Sequence, residues 1–304
     1  MQMELKVKSR ERLRDKPYGN TYDPGQCWLD DDGTVPVIRF HAWDDLPWAE
    51  LTFSTRLGGV SEGMFNSMNF NTKLGDSLEN VRENYRRYAQ SLGFDYQDIV
   101  LSDQVHDTKV AWVGRGQVMG ERVEKKIREA DGLVTDEDDV ILATSYADCV
   151  PLFFVDEARQ VIASSHSGWK GTVLRMGEKT VKTLVDHGSS LQDIRAVIGP
   201  SICQDCYEVS EDVAEAFRRE FSPEQCQDML HCGRIGEDGW QRYQLDLWAA
   251  NYYVLRDAGL SDSQITVSGV CTCCQPDLLF SHRASHGRRG NLNGFLRIKK
   301  RLEN

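Results

Sequence analysis

The sequence lacks any apolar run long enough to span a membrane. Its longest apolar segments, such as residues 150–155, are far shorter than the roughly 20 residues that a spanning helix requires. Residues 1–16 alternate charged residues with short aliphatic ones, so they lack the continuous apolar stretch and the small-residue cleavage site of a secretory signal. We therefore expect a cytoplasmic protein with no membrane partner.

Positive charge is scarce. The 36 Lys and Arg residues are outnumbered by 47 Asp and Glu residues, which gives a formal net charge of −11 and argues against a nucleic-acid partner. Nine cysteines, an odd number scattered over 304 residues, fit a reducing compartment better than a disulfide framework. Ordinary apolar and charged fractions indicate a globular chain, for which small-molecule chemistry is the best expectation.

Helical and strand-like patterns are interleaved along the chain. Helical spacing predicts helices at residues 77–93, 172–187, 210–220 and 240–258. Apolar runs predict strands at residues 37–43, 50–55, 99–105, 109–113, 140–145, 150–156, 160–165, 194–198 and 265–270. The interleaving favours a mixed α/β or α+β layered fold over an all-β sandwich. We interpret residues 1–36 as a polar lead-in, loosely packed or at an edge, and residues 37–304 as a single catalytic domain.

Two glycine-rich segments are candidates for binding a ligand through the backbone. Residues 56–63 follow a predicted strand and begin with Arg56, so they form a candidate anion cradle, although a tight connection that needs positive φ is an equal alternative. Residues 114–120 have the wrong glycine spacing for a dinucleotide fingerprint, and no helical pattern follows them. The sequence therefore argues against a nicotinamide site.

Three soft metal ligands, His106, Cys149 and His166, each lie where a predicted strand runs into a turn. The gaps of 43 and 17 residues between them are too long for a finger-type closed zinc site but suit ligands that a folded sheet brings together. Three protein ligands leave a fourth position open for water or substrate, which is typical of a catalytic site. The sequence therefore predicts one zinc site, with copper as the alternative metal.

Several local patterns in fixed order carry a family resemblance. They are Gln-Val-His (104–106), Ala-Asp-Gly-Leu-Val-Thr (130–135), Ala-Asp-Cys-Val-Pro (147–151), His-Ser-Gly-Trp-Lys-Gly (166–171), Ile-Gly-Pro-Ser (198–201) and Tyr-Glu-Val (207–209). Between about residues 50 and 297 the chain resembles the laccase-domain (polyphenol oxidase) family, whose members are now regarded as purine nucleoside phosphorylases with adenosine deaminase activity. The resemblance implies a layered sandwich of mixed β-sheets flanked by helices, similar to that of the cytotoxic necrotizing factor toxin.

The resemblance also implies an activity. It suggests zinc-dependent phosphorolysis of adenosine, inosine and methylthioadenosine to the free base and ribose 1-phosphate, together with deamination of adenosine. The family's metal triad falls on His106, Cys149 and His166. The expected partners are therefore a purine nucleoside and phosphate, and we expect a monomer or a homodimer.

The chain departs from the family pattern at two cationic motifs. The turn after His166, more often Ala-Gly-Trp-Arg-Gly, has Ser167 and Lys170, and the late Ser-Tyr-Arg-Arg motif reads Ser-His-Arg-Ala at residues 281–284, with Gly-Arg at 287–288. Lys cannot form the two-pronged contact with phosphate that Arg forms, so phosphate affinity or substrate preference is expected to differ. The candidate phosphate-binding or substrate-binding cations are Arg56, Lys170, Arg283 and Arg288.

Asp148 is the nearest carboxylate to the thiol ligand in sequence. Zinc base deaminases pair their metal with a carboxylate that shuttles protons, and by that analogy Asp148 is a catalytic candidate beside the triad. An equally good interpretation is a turn residue that orients a ligand.

Three other functions are compatible with these residues. Cys149 could act as the nucleophile of a cysteine hydrolase with His106 or His166 as its base, because a thiolate beside an imidazole is also the mark of covalent catalysis. A copper polyphenol oxidase is a second possibility, although seven scattered histidines are few for a multicopper enzyme. A scaffold protein with a merely structural metal is the third.

The remaining cysteines fall into two groups. Cys203 and Cys206 form one group, and Cys271, Cys273 and Cys274 form the other. Close pairs are typical of a structural four-thiolate zinc site, for which Cys203, Cys206, Cys271 and Cys273 are the candidate ligands, although free thiols are the default interpretation.

Overall fold

The apolar segments of the chain form strands of two six-stranded sheets in the computed structural model, which describes residues 4–299. With strands numbered in chain order, the first sheet runs β1 (Cys27–Asp30), β2 (Val37–Phe40), β3 (Ala49–Ser54), β15 (Leu292–Ile298), β7 (Ile141–Tyr146) and β4 (Ile99–Leu101). The second runs β14 (Ile265–Val267), β10 (Ile194–Ile198), β8 (Val150–Asp156), β9 (Val161–Ser167), β6 (Gly132–Thr135) and β5 (Val110–Trp112). A small third sheet contains β11 (Glu208–Val209), β13 (Gln241–Leu245) and β12 (Leu230–Ile235).

The two large sheets are mixed. The pairs β4–β7, β5–β6 and β10–β14 are parallel, whereas the other pairs in these sheets are antiparallel. The α-helices of the described chain are α1 (Arg10–Leu13), α2 (Leu78–Leu92), α3 (Trp169–Val173), α4 (Met176–Asp186), α5 (Glu211–Glu220), α6 (Pro223–Met229) and α7 (Leu247–Asp257). The expected α+β class, with layered mixed sheets flanked by helices, is confirmed.

The sheets pack face to face because their facing side chains are apolar. Phe53 and Leu296 of the first sheet share one buried cluster with Phe153 of the second. The outer face of the first sheet packs on α2, and the outer face of the second, where Phe154 points, packs on α4 and α7. All seven residues of β8 are buried because both of its faces are covered, which explains why this segment is continuously apolar rather than alternating.

Helix α2 shows how local sequence sets an element's limits. The Ser77 hydroxyl accepts a hydrogen bond from the Asn80 amide at the N-terminus, and Gly93 adopts the left-handed conformation, with φ of 71°, at the C-terminus. One face of the helix buries Val81, Tyr85 and Tyr88. The helix predicted at residues 77–93 is thereby confirmed.

Several parts of the predicted element order are wrong: β1, β6, β12 and α6 were not predicted, the predicted helix at residues 172–187 is divided into α3 and α4, and two further differences concern the sheets directly. The predicted helix at residues 240–258 is a strand followed by a helix: Gln241–Leu245 pairs with β11 and β12, and Asp246 then caps α7. Strand β15 was not predicted, since Gly294 interrupts its apolar pattern, yet it lies in the middle of the first sheet. A Cβ at Gly294 would come within 2.3 Å of the Phe153 ring, so the close approach of the two sheets requires glycine there.

The N-terminal lead-in is more tightly packed than expected. Tyr18 is only 1% exposed and belongs, with Tyr22, to the core beneath α7, while β1 forms the edge of the first sheet. The division of the chain into a lead-in (residues 1–36) and a single domain (residues 37–304) stays a prediction. Residues 1–3 of the lead-in and 300–304 of the domain lie outside the described part of the chain. Within residues 4–299, no helix has both the length and the apolarity needed to cross a membrane.

Candidate active site and metal centre

The predicted ligands meet where the chain crosses between the two large sheets. His106 lies in the connection from β4 to β5, and Cys149 lies in the connection from β7 to β8. Both connections leave the first sheet and enter the second. His166 belongs to β9, where it pairs with Pro151 of the neighbouring strand. Three residues that are distant in sequence therefore reach one edge of the sandwich.

The donor atoms of this triad form a compact group. The sulfur of Cys149 and a ring nitrogen from each histidine all lie within 4.8 Å of one another. The two imidazole rings are 4.8 Å apart between centroids and nearly perpendicular, so their donor atoms can point at a common centre. His166 is buried, whereas His106 is exposed. One thiolate and two imidazoles are a donor set that fits zinc or copper.

Asp131, which the sequence reading did not single out as a site residue, fixes both histidines. Its buried carboxylate accepts a hydrogen bond from His166 Nδ1 at 2.9 Å and from the backbone amides of Val105, His106 and Asp107 at 2.9–3.1 Å. A carboxylate behind an imidazole sets the tautomer that presents the other nitrogen to a metal. The only hint in the sequence was its place in the pattern at residues 130–135.

The backbone at two site positions is in the left-handed region, which non-glycine residues seldom adopt. His106 has φ of 64° and Asp148 has φ of 88°. The three amide contacts to Asp131 hold the first turn. In the second, Asp148 Oδ1 accepts from the Thr272 hydroxyl at 2.7 Å and Oδ2 accepts from the Arg283 amide at 2.7 Å. Both turns are held by hydrogen bonds that compensate for an unfavourable conformation.

The electrostatics favour a charged thiolate. Burial would raise the pKa of the Cys149 thiol, but the charge of His166 and hydrogen bonds from His106 and His166 lower it to about 6. Burial would likewise lower the pKa of His166, but the Cys149 thiolate and Asp131 raise it to about 9. Both shifts favour a thiolate–imidazolium pair in the metal-free site.

The triad lies between two cavities. The larger, of about 480 Å³, has the rings of Trp169 and Tyr207 among its walls and reaches Asp148 and Cys149. Its volume lies in the range typical of small-molecule sites. The smaller, of about 190 Å³, has several polar and cationic residues in its lining: Lys73, Lys125, Gln104, Ser145, Asn71 and Asn291. His106, Ala147, Cys149 and Arg289 border both cavities.

Two of the four predicted phosphate-binding cations line a cavity at the triad, and the other two do not. Lys170 and Arg283 line the larger cavity, and Arg283 also lies over the Tyr207 ring. Arg56 does not line either cavity: its guanidinium donates to the carbonyls of Asn66 and Pro276, so this residue ties two loops together. Arg288 is exposed and also lies outside both linings. Arg56 and Arg288 thus lie apart from both cavities, and their role as phosphate-contacting residues stays a prediction.

Two cations that were not predicted from the sequence, Arg289 and Lys125, lie beside the triad. Arg289 is mostly buried, and its Nε has no hydrogen-bond partner among residues 4–299. Burial, together with the nearby charge of Lys73, lowers the pKa of Lys125 to about 8. Unpartnered buried donors and a desolvated ammonium are costly unless an anion compensates them. Their neighbours in sequence carry no pattern that distinguishes them from surface charges.

The fold and the site together define an enzyme rather than a scaffold, because a compact donor triad faces a cavity instead of being enclosed. The comparisons with known proteins agree. Residues 50–299 match the family model described as multi-copper polyphenol oxidoreductase laccase, and the chain belongs to this family. The family resemblance inferred from the sequence motifs is thereby confirmed.

Named relatives align with most of the chain. The chain is similar to the protein named purine nucleoside phosphorylase YlmD of Bacillus subtilis, with 38% identity over 82% of this chain and 88% of the relative. It is also similar to adenosine deaminase RL5 from an unknown prokaryotic organism, with 33% identity over 76% of this chain and 87% of the relative. Among solved structures, the Bacillus licheniformis hypothetical protein YfiH covers 91% of this chain with a TM-score of 0.81 and 33% identity. These names confirm the prediction of an enzyme.

Proposed function

We propose that this protein is a zinc-dependent purine nucleoside enzyme. It would cleave adenosine, inosine and methylthioadenosine with phosphate to give the free base and ribose 1-phosphate, and would also deaminate adenosine. The observation that carries this proposal is the position of the Cys149 triad between two cavities, one with aromatic rings in its lining and the other with lysines. The names of the relatives support the choice of purine nucleosides.

The two cavities suit the two substrates of phosphorolysis. The larger cavity offers aromatic walls, Trp169 and Tyr207, against which a purine can pack. The smaller cavity offers Lys125, Arg289 and the ion-paired Lys73, which suit phosphate. Phosphorolysis requires a phosphate oxygen to bond to the ribose C1′ while the bond from C1′ to the purine nitrogen breaks. Adjacent cavities would hold the two reactants side by side.

The residues around the triad have distinct proposed roles. His106, Cys149 and His166 would hold the zinc ion, which supplies Lewis-acid chemistry at neutral pH when bound. Asp131 would orient the histidines. Asp148 was the sequence-based candidate for a proton shuttle, but both of its oxygens accept hydrogen bonds from the protein. We therefore assign it the alternative role of shaping the turn that presents Cys149.

A cysteine hydrolase remains the second candidate, because one observation favours it. The low pKa of Cys149, the raised pKa of His166 and the hydrogen bond from His166 to Asp131 together resemble a nucleophile, base and orienting carboxylate. A copper polyphenol oxidase has less support. Within residues 4–299 only one clustered donor group contains histidine, whereas multicopper chemistry needs several such groups.

The deciding experiment combines metal analysis with product analysis. Purified protein is incubated with adenosine and phosphate, and adenine, inosine, hypoxanthine and ribose 1-phosphate are separated. Cys149→Ala is expected to abolish all products, whereas Cys232→Ala, which alters an exposed cysteine, leaves them unchanged. Zinc-dependent product formation that chelation removes and zinc restores supports the proposal. Formation of ribose 1-phosphate by metal-free protein, or by Cys149→Ala, refutes it.

A further inference from the structure

Four of the cysteines outside the triad form a second cluster at the ends of two neighbouring strands. β10 and β14 are parallel neighbours, and the loop after each carries two cysteines separated by two residues. These pairs are Cys203 with Cys206, and Cys271 with Cys274. A bridge between Ser201 and Cys271 extends the strand pairing to the start of both loops. Parallel strands thus deliver two Cys-x-x-Cys loops to one place.

The sulfur positions match a tetrahedron. All four sulfurs lie within 4.8 Å of one another, with 3.5 Å from Cys206 to Cys274 and 4.0 Å from Cys203 to Cys274. Four thiolates at about 2.3 Å from a zinc ion would be separated by about 3.8 Å. A disulfide requires about 2.05 Å, and all nine cysteines are free. Cys273, which the sequence grouped with these residues, is not a member of the cluster.

The surroundings of the cluster offset negative charge on sulfur. The backbone amide of Cys203 donates to the sulfur of Cys271 at 3.3 Å. Lys8, which is mostly buried, lies 3.8 Å from the sulfur of Cys274 and also pairs with Asp205 at 3.2 Å. A partly buried ammonium and an amide pointing at sulfur are contacts that would stabilise the net negative charge of a zinc tetrathiolate.

We propose that Cys203, Cys206, Cys271 and Cys274 bind a structural zinc ion that is separate from the triad. Four protein ligands fill the coordination shell, so no position remains for substrate, in contrast to the three-ligand centre at Cys149. This proposal does not depend on the enzyme's activity.

The second centre would brace the wall of the larger cavity. Ile202 and Tyr207, which line that cavity, immediately flank the first cysteine pair. The Ile202 amide donates to the Asp148 carbonyl at 3.0 Å, and Thr272, between the cysteines of the second pair, donates to the Asp148 carboxylate at 2.7 Å. A zinc ion joining the two loops would therefore hold the turn that carries Cys149.

The test counts metal ions per chain in purified protein. Wild-type protein is expected to contain two zinc ions, Cys149→Ala one, Cys274→Ser one, and the double variant none. Cys273→Ser is the matched control and keeps two, because its sulfur lies outside the cluster. Loss of metal from Cys273→Ser but not from Cys274→Ser would overturn the ligand assignment.

A second measurement leaves all four cysteines in place, in case Cys274→Ser fails to fold. Cys149→Ala protein is loaded with cobalt, and the thiolate-to-cobalt charge-transfer bands and strong visible bands of a tetrahedral four-sulfur site are expected. Cobalt spectra without thiolate bands would overturn the proposal. So would freshly prepared Cys149→Ala protein whose mass is lower by two hydrogens, since a Cys206–Cys274 disulfide would explain the cluster without metal.

Discussion

Replacing Asp131 with Asn should remove both a negative charge and part of the hydrogen bonding that holds the candidate metal centre together. The carboxylate accepts two hydrogen bonds on each oxygen: His106 N and His166 Nδ1 on Oδ1, and Val105 N and Asp107 N on Oδ2. Whichever oxygen becomes the amide nitrogen, two donors lose their acceptor. At about 1.5–3 kcal/mol for each bond to a charged group, the metal-free protein should lose about 3–6 kcal/mol of stability.

The same change should weaken metal binding. Because Asp131 orients both histidine ligands, we expect zinc affinity to fall by about 10- to 100-fold, the usual effect of removing such a partner. Stability is measured by urea unfolding of the metal-free protein, and affinity by competition with a chromophoric chelator. Asp107→Asn is the matched control, since within residues 4–299 that exposed side chain accepts only from the neighbouring Thr108 amide. A folded Asp131→Asn protein with zinc affinity within twofold of wild type would refute this reasoning.

Three further predictions concern the cavities and the thiol. Arg289→Met should raise the KM for phosphate by about 10- to 100-fold, the cost of one or more charge-assisted contacts, whereas Arg288→Met should change it less than twofold in steady-state assays. Gly168→Ala should lower bound zinc after gel filtration, because its Cβ would lie 2.9 Å from the Cys149 sulfur; Gly171→Ala, whose nearest contact is 3.5 Å, should not. In metal-free protein, alkylation of Cys149 should have a midpoint near pH 6, because the folded site lowers the thiol pKa. A midpoint near pH 9, measured by peptide mass spectrometry, would contradict the thiolate assignment.

The sequence could predict the elements whose signals are local. Caps and spacing define α2, and the continuous apolar run of 150–155 marks β8 as a strand covered on both faces. His106, Cys149 and His166 were recognisable because each stands in its own distinctive turn pattern. For such residues, the neighbouring residues in the sequence are enough to indicate a functional role.

Other parts of the site depend on contacts between distant segments. Asp131 matters because three amides of a remote loop and one imidazole converge on it, and Arg289 matters because the fold desolvates it. Nothing adjacent to either residue encodes that convergence. The choice of Cys274 as a ligand beside Cys271 is a different case. The two-residue spacing between them is visible in the sequence, but the adjacent Cys273 is an equally close alternative.

The place of β15 in the first sheet has a consequence for biosynthesis. This strand follows every other strand of the described chain, yet it joins β3 to β7 in the middle of the sheet, across a separation of more than 230 residues from β3. Strand β15, up to residue 298, must therefore emerge from the ribosome before the β1–β3 half of the sheet can pair through it with the half formed by β7 and β4. Such non-local pairing slows folding and leaves unpaired strand edges exposed during translation, when chaperones would have to shield them.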